Sequence, residues 1–267
     1  MATESRGGAA APSASERMAS ASERMAFRAA QELRDGDVVF VGIGLPNLAC
    51  NLARATHAPG LCMIYESGAI GAIPERLPVS IGDPSLVTDS LAVVSQAEVF
   101  QCLLQGGRIE VGFLGGAQVD RWGNINTTVV GPYENPKVRL PGSGGACEIA
   151  VHARRLLLMM RMSRRAFVER CDFITSPGHR MHGKSRAELG MPGGGPARLI
   201  TDLGVLAFDE TGEAVLTEVY PGVTPEEVQA ACGWPLKVAA RLETSASPDA
   251  ETLRLLRERL DPQGLHL

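Results

Sequence analysis

The chain has 267 residues, of which 45% are hydrophobic and 4% aromatic, and its formal net charge at pH 7 is -4. The negative charge argues against a nucleic-acid partner, and no apolar run approaches the ~18 residues that span a membrane. Thirty glycines with few aromatic residues favour an α/β enzyme over a β-sandwich. The six cysteines form no C-x-x-C pair, which favours a reduced, cytoplasmic protein, although the sequence alone leaves disulfide pairing open.

Residues 1–20 are rich in Ala, Ser and Gly, and we predict a disordered N-terminal tail followed by a single α/β domain over residues 21–267. The domain is predicted to begin with a helix that ends before Gly36. A short buried strand is expected at Asp37–Val41, followed by a helix over Asn47–Ala55.

Gly42 and Gly44 lie between this strand and this helix, where backbone amides can approach an anionic group. The third glycine of the dinucleotide-binding fingerprint is replaced by Asn47, so the pattern does not predict a NAD site. A tight turn without any ligand is the alternative interpretation.

The most informative stretch is Cys62–Gly68, in which an apolar run ends in Glu66, Ser67 and Gly68. The run predicts a buried strand, and the glycine permits a sharp turn at its end. Because ligands of open α/β sheets meet the carboxyl ends of the strands, Glu66 is placed where a reactive carboxylate is expected. A solvent-exposed glutamate at a strand end is the alternative.

Further apolar runs and helical patterns alternate along the chain, which predicts an open, mostly parallel sheet with helices on both faces. The predicted strands are Val87–Val94, Ile109–Leu114, Ile125–Val130 and Leu156–Met160, with a helix over Gln96–Gln105. The chain then forms a hairpin from Val205–Phe208 and Val215–Val219. Two helices follow, which begin near Thr224 and Asp249.

A glycine cluster, Gly142–Ala146, opens another predicted helix. Successive glycine amides, here those of Gly144 and Gly145, can form a nest of donors that holds an oxyanion. A packing-driven turn is the alternative. His179 and His182 are three residues apart within a long loop, but no acidic or cysteine cluster accompanies them, so no metal site is predicted.

One carboxylate among many backbone donors is suited to covalent carboxylate catalysis on an activated carbonyl. A serine hydrolase is not predicted, because Tyr65 and Pro141 replace flanking glycines of the G-x-S-x-G pattern around Ser67 and Ser143.

Five motifs occur in the order found in β subunits of family I CoA-transferases, and between about residues 22 and 264 the chain resembles this family, most closely its glutaconate CoA-transferase branch. These motifs are Gly42–Pro46, Glu66–Gly68, Gly115–Asn124, Gly142–Ala146 and Thr175–Gly178.

The resemblance implies the open α/β fold of the family and a nucleophilic role for Glu66, which would form a glutamyl-CoA thioester. It implies an acyl-CoA and a small carboxylic acid as substrates and no cofactor beyond CoA itself. A separate α-type subunit is the implied partner. With Glu66 as nucleophile, we expect Gly42, Gly44, Gly144 and Gly145 to supply oxyanion or CoA contacts.

Two alternatives stay open. The Tyr65–Gly68 and Ser163–Arg170 stretches also resemble a family branch that opens the ring of cyclic ketone acyl-CoA esters by hydrolysis during steroid breakdown. The other alternative is a non-catalytic subunit that completes the site of an α chain.

Charged residues in two loops are candidates for contacts with CoA phosphates or a substrate carboxylate, although solvated charges are the simpler interpretation. These residues are Glu75, Arg76, Arg180, Lys184 and Arg186.

Overall fold

The structure is a computed structural model, and it describes residues 18–74 and 76–267. The predicted tail therefore lies almost entirely outside the described residues, as does Glu75. The helices are α1 (Ala21–Ala30), α2 (Leu45–Ala55), α3 (Glu98–Leu104, a π-helix), α4 (Ala146–His152), α5 (Pro225–Ala231) and α6 (Ala250–Arg254, continued as a π-helix over Leu255–Leu260).

Ten strands form one large sheet, in the order β16-β15-β14-β13-β10-β5-β1-β2-β3-β4. Their bounds are β1 (Val38–Phe40), β2 (Cys62–Ile64), β3 (Ala69–Ile70), β4 (Ala92–Val93), β5 (Val111–Leu114), β10 (Arg155–Met159), β13 (Pro196–Ile200), β14 (Gly204–Phe208), β15 (Ala214–Val219) and β16 (Lys237–Thr244). Three small hairpins comprise β6 (Gln118–Val119) with β7 (Ile125–Asn126), β8 (Val129–Val130) with β9 (Val138–Arg139), and β11 (Arg180–Met181) with β12 (Lys184–Ser185).

The middle of the sheet is parallel. Strand β1 pairs in parallel with β2 and β5, and β10 pairs in parallel with β5 and β13. Antiparallel pairing is confined to the flanks, at β2-β3-β4 and β13-β14-β15. Parallel strands covered on both faces are apolar throughout, and β5 and most of β10 are indeed buried. The prediction of an open, mostly parallel α/β sheet is confirmed.

Helices cover both faces of the sheet and enclose two hydrophobic cores. One core contains residues of α1 and α2 together with Leu256, which lies in the π-helical part of α6. The other contains residues of α3, α4 and α5, including Val99, Ile149 and Val228. Among the described residues, no helix is both long enough and apolar enough to cross a membrane.

Several local predictions are confirmed, including the β14–β15 hairpin. The capping box at Thr224 and Glu227 is present, and Asp249 caps α6. The predicted strand over Val87–Val94 is wrong for most of its length, because Pro84–Val87 forms a 3-10 turn capped by Asp83 and only Ala92–Val93 pairs in the sheet. Strands β13 and β16 are not predicted from the sequence, and the residues of β16 are mostly exposed, so its pattern lacks a buried face.

Candidate functional site

The turns after β1 and β2 leave neighbouring parallel strands at the same edge of the sheet. Phe40 pairs with Ile64, and the Val41 amide continues the ladder by donating to the Ile64 carbonyl at 3.1 Å. The residues that follow, Gly42 and Glu66, therefore start their turns side by side. This edge is where α/β sheets usually bind ligands.

Glu66 lies at the first central position of a β-turn, in which the Gly68 amide donates to the Tyr65 carbonyl at 2.9 Å. Gly68 has φ +106°, and a Cβ there would lie 1.9 Å from the Val94 carbonyl oxygen. The turn therefore requires glycine at this position, which explains the Glu66-Ser67-Gly68 motif structurally. The Glu66 side chain is half-buried, whereas Ser67 is exposed.

A buried chain of polar groups holds the residue just before Glu66. Asn47 Nδ2 donates to the Tyr65 hydroxyl at 2.7 Å, and Asn51 Nδ2 donates to Asn47 Oδ1 at 2.9 Å. Arg54 then donates to Asn51 Oδ1 at 2.9 Å. Burial raises the pKa of Tyr65 to about 12, so its hydroxyl stays neutral. These bonds tie the start of the Glu66 turn to α2.

Two other elements enclose the Glu66 carboxylate. From a position two residues before α3, Gln96 Nε2 donates to Glu66 Oε1 at 3.2 Å. A Cβ added to Gly145 would lie 3.2 Å from the same oxygen and 2.4 Å from Phe100 Cζ. Phe100 packs against Phe40, with ring centroids 5.5 Å apart. Gly145 is therefore the predicted glycine that the structure places directly against Glu66.

Backbone donors surround this edge of the sheet. Within the described part of the chain, the amides of Gly42, Gly44, Gly144 and Gly145 donate to no protein acceptor. Gly44 and Gly144 have positive φ angles of 89° and 49°. These donors remain available to a ligand, as an oxyanion site requires.

The Gly115–Asn124 motif has a structural explanation. Asp120 accepts hydrogen bonds from the amides of Trp122 and Asn124 and from the Asn124 side chain, at 2.9 to 3.1 Å. Burial raises the pKa of Asp120 despite these bonds. A Cβ at Gly116 would lie 2.2 Å from Ile125 Cγ2, so this glycine permits close packing of the β6–β7 hairpin.

The two histidines do not lie in a metal arrangement. His179 Nε2 is 2.6 Å from the Pro196 carbonyl oxygen, and burial lowers its pKa. In residues 18–74 and 76–267, no three His, Cys, Asp or Glu side chains converge as a metal site. All six cysteines are free thiols.

Arg186 is a structural residue, not a loop charge free to bind phosphate. Its guanidinium is buried and donates to the carbonyls of Gly193, Gly178, Ala150 and Val151 at 2.8 to 3.0 Å. Burial lowers its pKa to about 10. The guanidinium thus fastens the loop after β10 to the last turn of α4.

Comparison with known proteins identifies the family. The sequence model of the coenzyme A transferase family matches residues 22–231. The chain is 50% identical to the B subunit of a 3-oxoadipate CoA-transferase from Pseudomonas knackmussii, over 89% of this chain and 92% of the relative. The chain belongs to the coenzyme A transferase family. It is also 36% identical to the B subunit of glutaconate CoA-transferase from Acidaminococcus fermentans, over 90% of this chain and 92% of that one.

Solved structures agree with this CoA-transferase assignment. The crystal structure of glutaconate CoA-transferase from Acidaminococcus fermentans superposes with a TM-score of 0.86 at 34% identity, covering 93% of this chain and 97% of that one. Rhodococcus jostii IpdAB has a TM-score of 0.76 at 22% identity, covering 93% and 97%, and shows the same fold. The resemblance to family I CoA-transferase β subunits is confirmed.

Three contacts of this CoA-transferase chain were not expected from its sequence. Gln96 binds Glu66 across 30 residues of the chain, Phe100 lies against Gly145, and Asn47 binds Tyr65. The replacement of a fingerprint glycine by Asn47 was visible in the sequence, but it indicated only that a NAD site is absent. No local pattern signals that α3 returns to the turn after β2.

Proposed function

We propose that the chain is the β-type subunit of an enzyme that moves CoA from an acyl-CoA thioester to a carboxylic acid through a covalent glutamyl-CoA thioester on Glu66. The observation that carries this proposal is the half-buried Glu66 carboxylate at the carboxyl end of β2, with Gln96 and Gly145 against it.

The chemistry needs no metal and no proton transfer. One Glu66 oxygen attacks the thioester carbon, the carbon–sulfur bond breaks, and CoA leaves as a thiolate from an acyl–glutamyl anhydride. The thiolate then attacks the glutamyl carbon, and the acyl group departs as a carboxylate. A second acid takes the CoA by the same steps in reverse, so each bond broken is matched by one formed.

The free amides of Gly42, Gly44, Gly144 and Gly145 support the proposal, because each addition to a carbonyl creates a negative oxygen. We assign these amides to the oxyanion on the substrate acyl group and to contacts with CoA. Loss of one such donor typically raises a barrier by about 3 kcal/mol.

An α-type subunit is the proposed partner that closes the site. The relatives at 50% and 36% identity are both named as B subunits, and a decarboxylase of this fold is an AibA/AibB assembly. Six of the large exposed apolar side chains lie between residues 73 and 93, next to the Glu66 turn, and these are Ile73, Val79, Ile81, Val87, Leu91 and Val93. Such a concentration is typical of a surface that another protein covers.

The proposed acceptor is a short 3-oxo dicarboxylic acid, with 3-oxoadipate as the first candidate. Support comes from the 50% identity to a 3-oxoadipate CoA-transferase chain over most of both sequences. Succinyl-CoA is a suitable donor to test, since it appears in the names of relatives at 30% and 28% identity. Ring-opening hydrolysis has weaker support, since the hydrolase relatives are 25% identical.

The test uses the chain co-expressed with its α-type partner. Succinyl-CoA and 3-oxoadipate are supplied together, and transfer is compared for wild type, Glu66→Asp, Glu66→Gln and Glu66→Ala. Peptide mass spectrometry after incubation with succinyl-CoA alone should detect CoA on Glu66 in wild type only. Full transfer by Glu66→Ala would refute the nucleophilic role.

Two further assays distinguish the proposed transferase from a hydrolase and from a non-catalytic subunit. A hydrolase would consume a cyclic ketone acyl-CoA without an acid acceptor, whereas the proposed transferase requires the acid. A non-catalytic β-type chain would never carry the CoA label, even in a complex that transfers CoA at full rate.

A further inference from the structure

We propose that Gln96 is a catalytic residue of this transferase: its side-chain amide stabilises the negative charge that develops on the Glu66 carbonyl oxygen when CoA attacks or leaves the glutamyl carbon. This inference rests on the proposed function. The reaction then forms two different oxyanions, one on the substrate acyl group and one on Glu66 itself, and Gln96 stabilises the second.

The geometry selects one oxygen of the carboxylate. Gln96 Nε2 donates to Oε1 of Glu66 at 3.2 Å, and no other side-chain donor reaches Glu66 among the described residues. With Oε1 held in this hydrogen bond, Oε2 is the oxygen left free to attack the thioester. Gln96 thereby orients the nucleophile before the reaction begins.

The same bond gains importance in the second step. Once Oε2 carries the acyl group, Oε1 is the carbonyl oxygen of the glutamyl half of the anhydride. Thiolate attack on Glu66 Cδ moves the carbonyl electron pair onto Oε1, and collapse of this adduct breaks the Cδ–Oε2 bond. A donor already aimed at Oε1 is stronger against this full negative charge than against a neutral carbonyl.

The structure holds Gln96 in place from both sides. Ser95 and Glu98 form reciprocal hydrogen bonds around it, at 2.8 Å from the Ser95 amide to Glu98 and 3.2 Å in return. The Val94 amide donates to the Gly68 carbonyl at 3.0 Å, which joins the approach to α3 to the Glu66 turn. These bonds fix the backbone on both sides of Gln96, so its side chain extends from a defined position beside the Glu66 turn.

Helix α3 also supplies an apolar wall one turn further along. Phe100 follows Gln96 by four residues, and its ring lies against Gly145. The buried Val99 and Leu104 anchor the helix in the core. Phe100 thus forms an apolar boundary of the site on the Gly145 side.

The chain offers a matched control at the opposite end of α3. Gln105, the residue that caps the end of α3, donates through Nε2 to Glu148 Oε2, also at 3.2 Å. Both glutamines are exposed, so Gln96→Ala and Gln105→Ala remove equivalent glutamine–glutamate hydrogen bonds. Only Gln96→Ala removes one from the nucleophile.

The experiment uses the complex with the α-type partner, mixes it with succinyl-CoA without acceptor, and follows the CoA label on Glu66 by rapid quench and mass spectrometry. Gln96→Ala is expected to slow label formation and kcat by about 10- to 100-fold, with KM for succinyl-CoA changed by less than about 3-fold. Gln96→Glu should be slower still, because it places an acceptor and a negative charge beside the forming oxyanion. Gln105→Ala should behave as wild type.

The inference would be overturned if Gln96→Ala formed the CoA label at the wild-type rate. It would also be overturned if Gln96→Ala and Gln105→Ala slowed label formation equally. Glu66→Ala is measured in parallel, so that the two proposals fail separately. Transfer by Glu66→Ala defeats the proposed function, whereas an inactive Glu66→Ala beside a fully active Gln96→Ala defeats only the role of Gln96.

Discussion

Two buried tyrosines in this chain differ in one respect that decides what their hydroxyls contribute to stability. The Tyr65 side chain is 0% exposed, and its hydroxyl accepts a 2.7 Å hydrogen bond from Asn47, which is also 0% exposed. The Tyr220 hydroxyl is equally buried but has no hydrogen-bond partner among the described residues. Substitution by phenylalanine removes the same atom from both sites and leaves nearly the same shape.

The expected costs follow from these partners. Tyr65→Phe leaves a buried Asn47 N–H group unsatisfied, which costs about 1–3 kcal/mol of unfolding free energy. Tyr220→Phe removes an oxygen that is already unsatisfied, so its effect should lie near zero or be slightly stabilising. For a chain of this size, each kcal/mol corresponds to a shift in Tm of about 2–4 °C.

Urea unfolding of the full chain, followed by circular dichroism, measures both variants under the same conditions. Tyr65→Phe should unfold at lower urea than wild type, and Tyr220→Phe at the same urea or higher. The difference in urea midpoint between the two variants should be constant between pH 6 and 8, because burial raises the pKa of both tyrosines far above this range. An equal loss in both variants would show that the hydrogen bond to Asn47 contributes nothing.

Two more predictions concern the site and the N-terminal helix. Gly145→Ala should lower kcat by about 10-fold or more with little change in stability, because the added Cβ lies 2.4 Å from the Phe100 ring beside the nucleophile. An unchanged kcat in Gly145→Ala would contradict the steric argument. Burial opposes ionisation of Glu23, but hydrogen bonds from Arg257 and from the chain before α1 outweigh it and lower its pKa. The ionised group therefore stabilises the fold above its unfolded pKa, and this stability is lost as pH falls through the lowered value. Urea midpoints of wild type and Glu23→Gln should thus differ more at pH 7 than at pH 3, and a constant difference would contradict this.

The buried part of the fold was predictable from the sequence because parallel strands are apolar on both faces. Cys62–Ile64 and Arg155–Met159 match the predicted runs closely. Strand β16 was missed because it lies at the sheet edge and alternates weakly, and Val87–Val94 misled because apolar residues there are exposed instead of buried. Apolar content alone does not distinguish a core strand from a surface that another protein covers.

For the candidate site, the position of Glu66 at a strand end was predictable, and so was the closeness of one glycine cluster. The contacts of Gln96 with Glu66 and of Phe100 with Gly145 were not, since they depend on how β3 and β4 fold back and bring the start of α3 to the turn after β2. Contacts between residues that lie 30 or more positions apart leave no periodic pattern in the sequence.

The apolar stretch between residues 73 and 93 ends in β4, whose outer edge pairs with no other strand in the described part of the chain. The free edge of the two-residue β4 offers little for another strand to pair with, but the exposed apolar side chains of this stretch favour contact with any similar surface nearby. A β-type chain synthesised in excess of its α-type partner should therefore be prone to self-association. Balanced co-expression of the two polypeptides is then needed to recover non-aggregated protein, and the yield of this chain should rise with the amount of its partner.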